Sequence, residues 1–154
     1  MALIPPLNEH NKTEHPPMHT AEHILNQTMV RMFGCARSHN AHIERKKSKC
    51  DYFLDHEPSA AEMAEVERQV NQVIDRHLDV TIDYLPRHEA ALLADLGKLP
   101  SDAGDTLRIV RVGDYDICAC IGAHVTNTSE ISRFRLLNYD YAEGRLRLRF
   151  KLSE

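Results

Sequence analysis

Tryptophan is absent from this chain of 154 residues, and aromatic side chains make up only 6% of it. No apolar run approaches the ~20 residues that span a bilayer, so a membrane-spanning helix is not expected. The first fifteen residues, MALIPPLNEHNKTEH, lack the basic start and long apolar stretch of a secretory signal. Cytoplasmic residence is the expectation. The four cysteines, Cys35, Cys50, Cys118 and Cys120, are irregularly spaced and lack the pattern of a disulfide framework. Reduced thiols, some of them available to a metal, fit better. An excess of positive charge is also missing. The net charge is −4, so any contact with nucleic acid must come from local basic patches. There is no internal repeat, low-complexity tract or linker.

What remains is an ordinary globular composition, with 42% hydrophobic and 27% charged residues. The length suits one domain with a real core. Residues 1–15 read as an irregular lead-in and residues 16–154 as a single domain. Pro16 and Pro17 suit a helix entry, where a missing N–H costs nothing. Apolar residues then recur at Ile24, Leu25, Met29 and Met32, and Gly34 is a natural stop. Residues 41–54 read as one or two strands around a basic connection. Ser59 and Glu62 form a capping-box pair ahead of the stripe Met63, Val66, Val70, Val73 and Ile74. In DVTIDYL, Val80, Ile82 and Tyr84 share one strand face, and Leu85 before Pro86 marks its end. RHEAALLADLG reads as a short helix ending at Gly97. Two hairpins follow, turning at Gly113-Asp114 and near Glu143-Gly144. Partly segregated helices and strands predict an α+β fold, an antiparallel or mixed sheet packed with helices.

Ten histidines are more than expected, and two of them are placed suggestively. His19 and His23 lie four apart in the first helix. Residues at that spacing are rotated by ~40° and separated by ~6 Å along the axis, so both imidazoles can reach one ion. A lone His-x-x-x-His is equally at home on an ordinary surface. About a hundred residues later, CIGAHVTNTSEI sets Cys120 and His124 four apart after a strand. One thiolate and three imidazoles make a tetrahedral set suited to Zn2+, whereas calcium and magnesium prefer oxygen. Cys118 precedes Cys120 by two and reads as core rather than ligand.

HTAEHIL followed by CIGAHVTNTSEI resembles the editing domain of alanyl-tRNA synthetases and its free-standing relatives, the AlaX proteins. Members commonly carry His-Thr-Ala-x-His-(Leu/Ile)-Leu and later Cys-Gly-Gly-Thr-His-Val, often with Asn-Thr-x-Glu-Ile after it. VERQVNQVI resembles the helix between them, and CDYFL stands in the place of the family's Phe-Asp-Phe strand. The likeness covers roughly residues 17–135. The sequence departs from the pattern at Ile121 and Ala123, which replace Gly and Thr, and at Ser132, where Gly is common. A threonyl-tRNA synthetase editing motif, closer to Cys-x-Gly-Pro-His, is broken by Ala123 as well.

The resemblance implies the common editing-domain fold of threonyl- and alanyl-tRNA synthetases, in a minimal free-standing form without aminoacylation modules. It implies zinc on His19, His23, Cys120 and His124. It implies hydrolysis, in trans, of serine and sometimes glycine wrongly esterified to alanine tRNA. Thr20 matches the family threonine and could set a hydroxyl beside the substrate, or cap and pack the helix. Ile121, Gly122 and Ala123 would line the substrate pocket beside the ligands. Glu22 sits where inverted zinc proteases carry their general base, or is a solvated first-turn acid.

Two basic patches could grip tRNA phosphates. One is Arg45, Lys46, Lys47 and Lys49. The other is Arg145, Arg147, Arg149 and Lys151, alternating with Leu146, Leu148 and Phe150. Either could equally be a solvated face or a protected strand edge. Three functions remain: the alanine-specific deacylase, an editor of another mischarged tRNA on the same fold, and a non-catalytic zinc-stabilised RNA-binding module.

Overall fold

The computed structural model describes residues 15–93 and 105–153. The expected lead-in, His15 apart, and the expected helix end at Gly97 lie outside the described residues.

Helix α1 (Pro16–Phe33) starts where its prolines allow. The ring of His15 caps it by accepting from the Met18 amide at 3.3 Å. Gly34 closes it in the left-handed conformation, φ 68°, returning its N–H to Val30. Strands β1 (Asn40–His42) and β2 (Ser48–Phe53) form a hairpin around the basic segment. Helix α2 (Ala60–Ile74) begins at the Ser59/Glu62 capping box, which is fully formed. Then come β3 (Val80–Pro86), α3 (Arg87–Leu93), β4 (Thr106–Val112) and β5 (Asp116–Ala119). A short 3-10 turn (Thr128–Glu130) leads to β6 (Phe134–Ala142) and β7 (Arg145–Leu152). The last hairpin turns at Glu143 and Gly144, both with positive φ. The molecule is α+β, with its strands in two antiparallel sheets, β1-β2-β7-β6 and β3-β4-β5.

Alternation decides the faces. On β7, Leu146, Leu148 and Phe150 are fully buried. They join Cys50 and Tyr52 of β2 and the apolar sides of α1 and α2 in one core. The Tyr52 hydroxyl donates to Asn26 of α1 at 2.7 Å, tying helix to sheet inside that core. Asn71 of α2 accepts from the Phe134 amide and donates to its carbonyl. Val80, Val110 and Val112 of the three-stranded sheet belong to the same core, so α1 is held between the two sheets. The reverse face of the small sheet packs Leu107 and Ile109 on Ala90 of α3. Val80, Ile82 and Tyr84 share the face expected of them, but only Val80 is buried; Ile82 is 43% and Tyr84 66% exposed. The core stops short of that end of β3. No helix of the described residues is long and apolar enough to cross a membrane.

Candidate metal centre

Sandwiching α1 brings its first turns against the segment that follows β5. His19, His23, Cys120 and His124 converge there, with one ligand atom from each lying within 4.8 Å of the others. Bonds of ~2.0–2.3 Å in a tetrahedron separate ligands by about 3.3–3.8 Å, and His19 Nε2 lies 3.4 Å from Cys120 Sγ. The rings of His19 and His124 stack at 4.1 Å, and His23 meets His124 edge-on at 4.4 Å.

Each imidazole is oriented through its other nitrogen. His19 Nδ1 lies 3.0 Å from the Ala123 carbonyl, which makes Nδ1 the donor and leaves the Nε2 lone pair for the cluster. His124 Nδ1 lies 2.9 Å from the Thr20 hydroxyl, while its Nε2 is buried with no hydrogen-bond partner. His23 turns Nδ1 toward the Asp116 carboxylate at 3.6 Å, an ion-pair distance. Asp116 is itself held by Arg37 at 2.7 and 3.2 Å and by Gln27 at 2.9 Å. A buried nitrogen without a partner, beside a thiol and two imidazoles, is the signature of a site that fits a zinc ion.

Residues 107–149 match the family described as threonyl and alanyl tRNA synthetase second additional domain. Over 120 residues, 77% of this chain, it is 32% identical to an alanine–tRNA ligase of Oceanobacillus iheyensis. Over 121 residues, 78% of the chain, it is 31% identical to the Bacillus subtilis alanine–tRNA ligase, and equally so to that of Geobacillus kaustophilus. The aligned part is 14% of each ligase, so the chain spans about a seventh of the length of these relatives.

Within this cluster the charges are strongly coupled. Burial raises the Cys120 thiol, but the surrounding imidazoles of His124, His19 and His23 outweigh it and hold the thiol far below its usual range. Cys120 is therefore a thiolate, the form that binds metal. Burial lowers His23, but Asp116 and Cys120 overcome it and raise the imidazole to about 9. His124 is pushed down to about 4, chiefly by burial. Cys118 is not one of the converging groups, and burial pushes its thiol up to about 12. It is half-buried and belongs to neither core.

The other expected site residues fall in different places. Glu22 is no solvated acid: it is 8% exposed, with its carboxylate 3.9 Å from His19 Nε2. Thr20 is fully buried beneath the cluster, its hydroxyl engaged by His124 and by the Val125 amide at 3.2 Å. It holds a candidate ligand from behind. Ala123 offers its carbonyl to His19, and Gly122 and Cys120 offer theirs to Arg108 at 2.7 and 2.9 Å. Ile121 is 54% exposed beside them.

The two basic patches meet, because β2 pairs with β7 and sets Lys49 opposite Arg149. Arg145, Arg147 and Arg149 line the outer face of the four-stranded sheet, while the helices and the metal cluster lie behind its inner face. Arg147 is paired with Asp51 at 2.7 and 2.9 Å. Arg149 and Arg145 both reach Asp140, at 2.9 and 3.6 Å. Arg45, Lys46 and Lys47 are exposed in the β1–β2 connection. Arg45 shares a surface cleft with His15 and Pro17, at the end of α1 from which His19 projects.

Asp116, Arg37 and Arg108 were not anticipated. Asp116 was legible in part: Asp116, Cys118 and Cys120 alternate, so an acid on the thiols' face had to be buried with a partner. Arg37 and Arg108 carry no such signal.

Proposed function

We propose that this protein is a zinc-dependent deacylase that hydrolyses the ester of mischarged aminoacyl-tRNA in trans, Ser-tRNA specific for alanine first and the glycyl ester second. The observation that carries the reading is the convergence of three imidazoles and a thiolate, from two motifs a hundred residues apart, within a domain related to alanine–tRNA ligases. His19, His23, Cys120 and His124 would hold the zinc, which would supply Lewis acidity toward an ester carbonyl or a bound water once a fifth position opens or one ligand stands off. Glu22 holds its carboxylate 3.9 Å from His19 Nε2, the nitrogen that faces the cluster, and it takes the role of moving the proton between water and the leaving ribose oxygen. Thr20 and the Ala123 carbonyl hold His124 and His19 in their productive tautomers. Ile121, Gly122 and Ala123 border the pocket where the aminoacyl group sits. Arg45, Lys46 and Lys47 attract the phosphates on the side of α1 that presents His19, and Lys49, opposite Arg149, extends the patch onto the outer sheet face.

The test is serine release from Ser-tRNA specific for alanine, compared with alanine release from the correctly charged tRNA, with and without chelator. Fast, chelator-sensitive release of serine alone is the expected result. Equal hydrolysis of both esters rejects proofreading. Preference for another mischarged tRNA moves the specificity, and binding without turnover leaves a zinc-stabilised RNA module. Ile121 and Ala123, which replace the Gly and Thr common in the family motif, support keeping these two outcomes in the assay.

A further inference from the structure

The three-stranded sheet carries its face in rows. Val80, Val112 and Asp116 form one row, and Ile82, Val110 and Cys118 the next. Tyr84 opposes Arg108, and the Cys120 amide donates to the Arg108 carbonyl at 3.1 Å, so Tyr84, Arg108 and Cys120 form the third. Helix α1 covers the first row, where His23 meets Asp116, and part of the second. It leaves the β3 side open: Ile82 and Tyr84 are 43% and 66% exposed, on the face that carries the metal cluster. Strands lie about 4.8 Å apart, so Tyr84 stands roughly 10 Å from Cys120 along the row. Between them Arg108 holds the Cys120 and Gly122 carbonyls with its guanidinium.

We propose that this open shelf seats the nucleobase of the terminal nucleoside to which the aminoacyl group is esterified, with Tyr84 as the stacking ring and Ile82 as the apolar floor beside it. The proposal rests on the deacylase reading. In such a substrate the base lies one ribose from the ester carbonyl, and that is the reach from the metal ligands to Tyr84. Serine and glycine side chains are too small to occupy an aromatic surface two strands from the cluster. A nucleobase stacks on an exposed ring without regard to its hydrogen-bonding edge. The Arg108 cation, midway along the row, complements the anionic strand that brings the base in.

The experiment measures binding of the zinc-loaded protein to the serine amide of an aminodeoxyadenosine, which is not an ester and is not hydrolysed, and to the same amide on an abasic ribose. Tyr84→Ala should weaken the adenosine compound roughly five- to hundredfold. Tyr84→Phe, which keeps the ring, should stay within about twofold, and the abasic compound should be indifferent to both substitutions. Zinc content measured on each variant reports that the fold is retained. Equal affinity of wild type and Tyr84→Ala for the adenosine compound overturns the shelf, as does an equal loss for both compounds or failure of the wild type to bind. Deacylation of mischarged tRNA by the wild type is scored separately. Tyr84-dependent binding without deacylation supports the shelf and removes the enzyme, whereas deacylation with Tyr84-independent binding does the reverse.

Discussion

The Asp116 carboxylate lies 3.6 Å from Nδ1 of His23, and both groups are almost completely buried. A carboxylate behind an imidazole fixes the tautomer and raises its basicity as a ligand. Arg37 and Gln27 hold that carboxylate in turn, so the chain of contacts runs from the metal cluster to the second half of α1 and the loop after it.

Replacing Asp116 by Asn should therefore lower zinc affinity about 10- to 100-fold, read by competition with a chromogenic chelator. Cys120→Ala and His124→Ala should lower it further, because they delete ligands. Cys118→Ser should leave it unchanged. Loss of zinc in Cys118→Ser alone would reassign the thiol ligand.

The same pair sets a pH dependence for the metal-free protein. The Asp116 carboxyl is raised by burial but brought down to about 2 overall by His23 and Arg37. A depressed folded pKa stabilises fully above the unfolded value of about 3.9 and is lost as pH falls through the folded one. His23 is raised to about 9, so its contribution is complete below about 6.5 and lost as pH rises through 9. The pair's own contribution is therefore complete between about pH 4 and 6.5, and because the Cys120 and His124 groups are depressed on folding, the stability of metal-free protein should rise with pH across that window. Zinc requires the His23 lone pair, so its binding at neutral pH should release a proton. Calorimetry in buffers of different ionisation enthalpy measures that release, and a buffer-independent heat would contradict it.

Thr20 offers a sharper separation of roles. Thr20→Val keeps the shape but strips the hydroxyl from His124 Nδ1 and the Val125 amide, both buried. The expected cost is about 1–3 kcal/mol of stability, with weaker zinc binding, while Thr20→Ser should retain both. A threonine that contacted substrate would instead change KM or kcat and leave zinc affinity alone.

Glu22→Gln keeps a side chain of the same size 3.9 Å from His19. If Glu22 moves the proton, kcat should fall about 100-fold or more with zinc content unchanged. Retained kcat would return Glu22 to a packing role.

The basic residues should behave unequally. Lys46→Glu with Lys47→Glu should weaken tRNA binding and reduce the slope of log affinity against log salt by about 0.7–0.9 for each phosphate the protein no longer neutralises. Arg147→Glu with Arg149→Glu sets new carboxylates against Asp51 and Asp140. Its main effect should be a lower melting temperature, and an unaltered melting temperature with weakened tRNA affinity would make the outer sheet face the binding surface.

The sequence by itself determined the local elements, because their causes are local. The prolines and Gly34 bound α1, the Ser59/Glu62 box starts α2, and Gly113 and Gly144 turn the hairpins. It also singled out the candidate ligands, since His19 and His23 share a helix face by their spacing and Cys120 and His124 follow a strand, but their convergence came from the fold. Only the tertiary structure decided what lies behind and around those ligands. The placement of α1 between two sheets buries Thr20 and Glu22, sets Asp116 behind His23, and brings Arg108 under the Cys120–Gly122 carbonyls. Cross-strand pairing set Asp51 and Asp140 against the arginine row that alternation offered as an RNA grip. These are contacts between residues tens of positions apart, chosen by which faces had to leave water, and no pattern along the chain records which partner each face will meet.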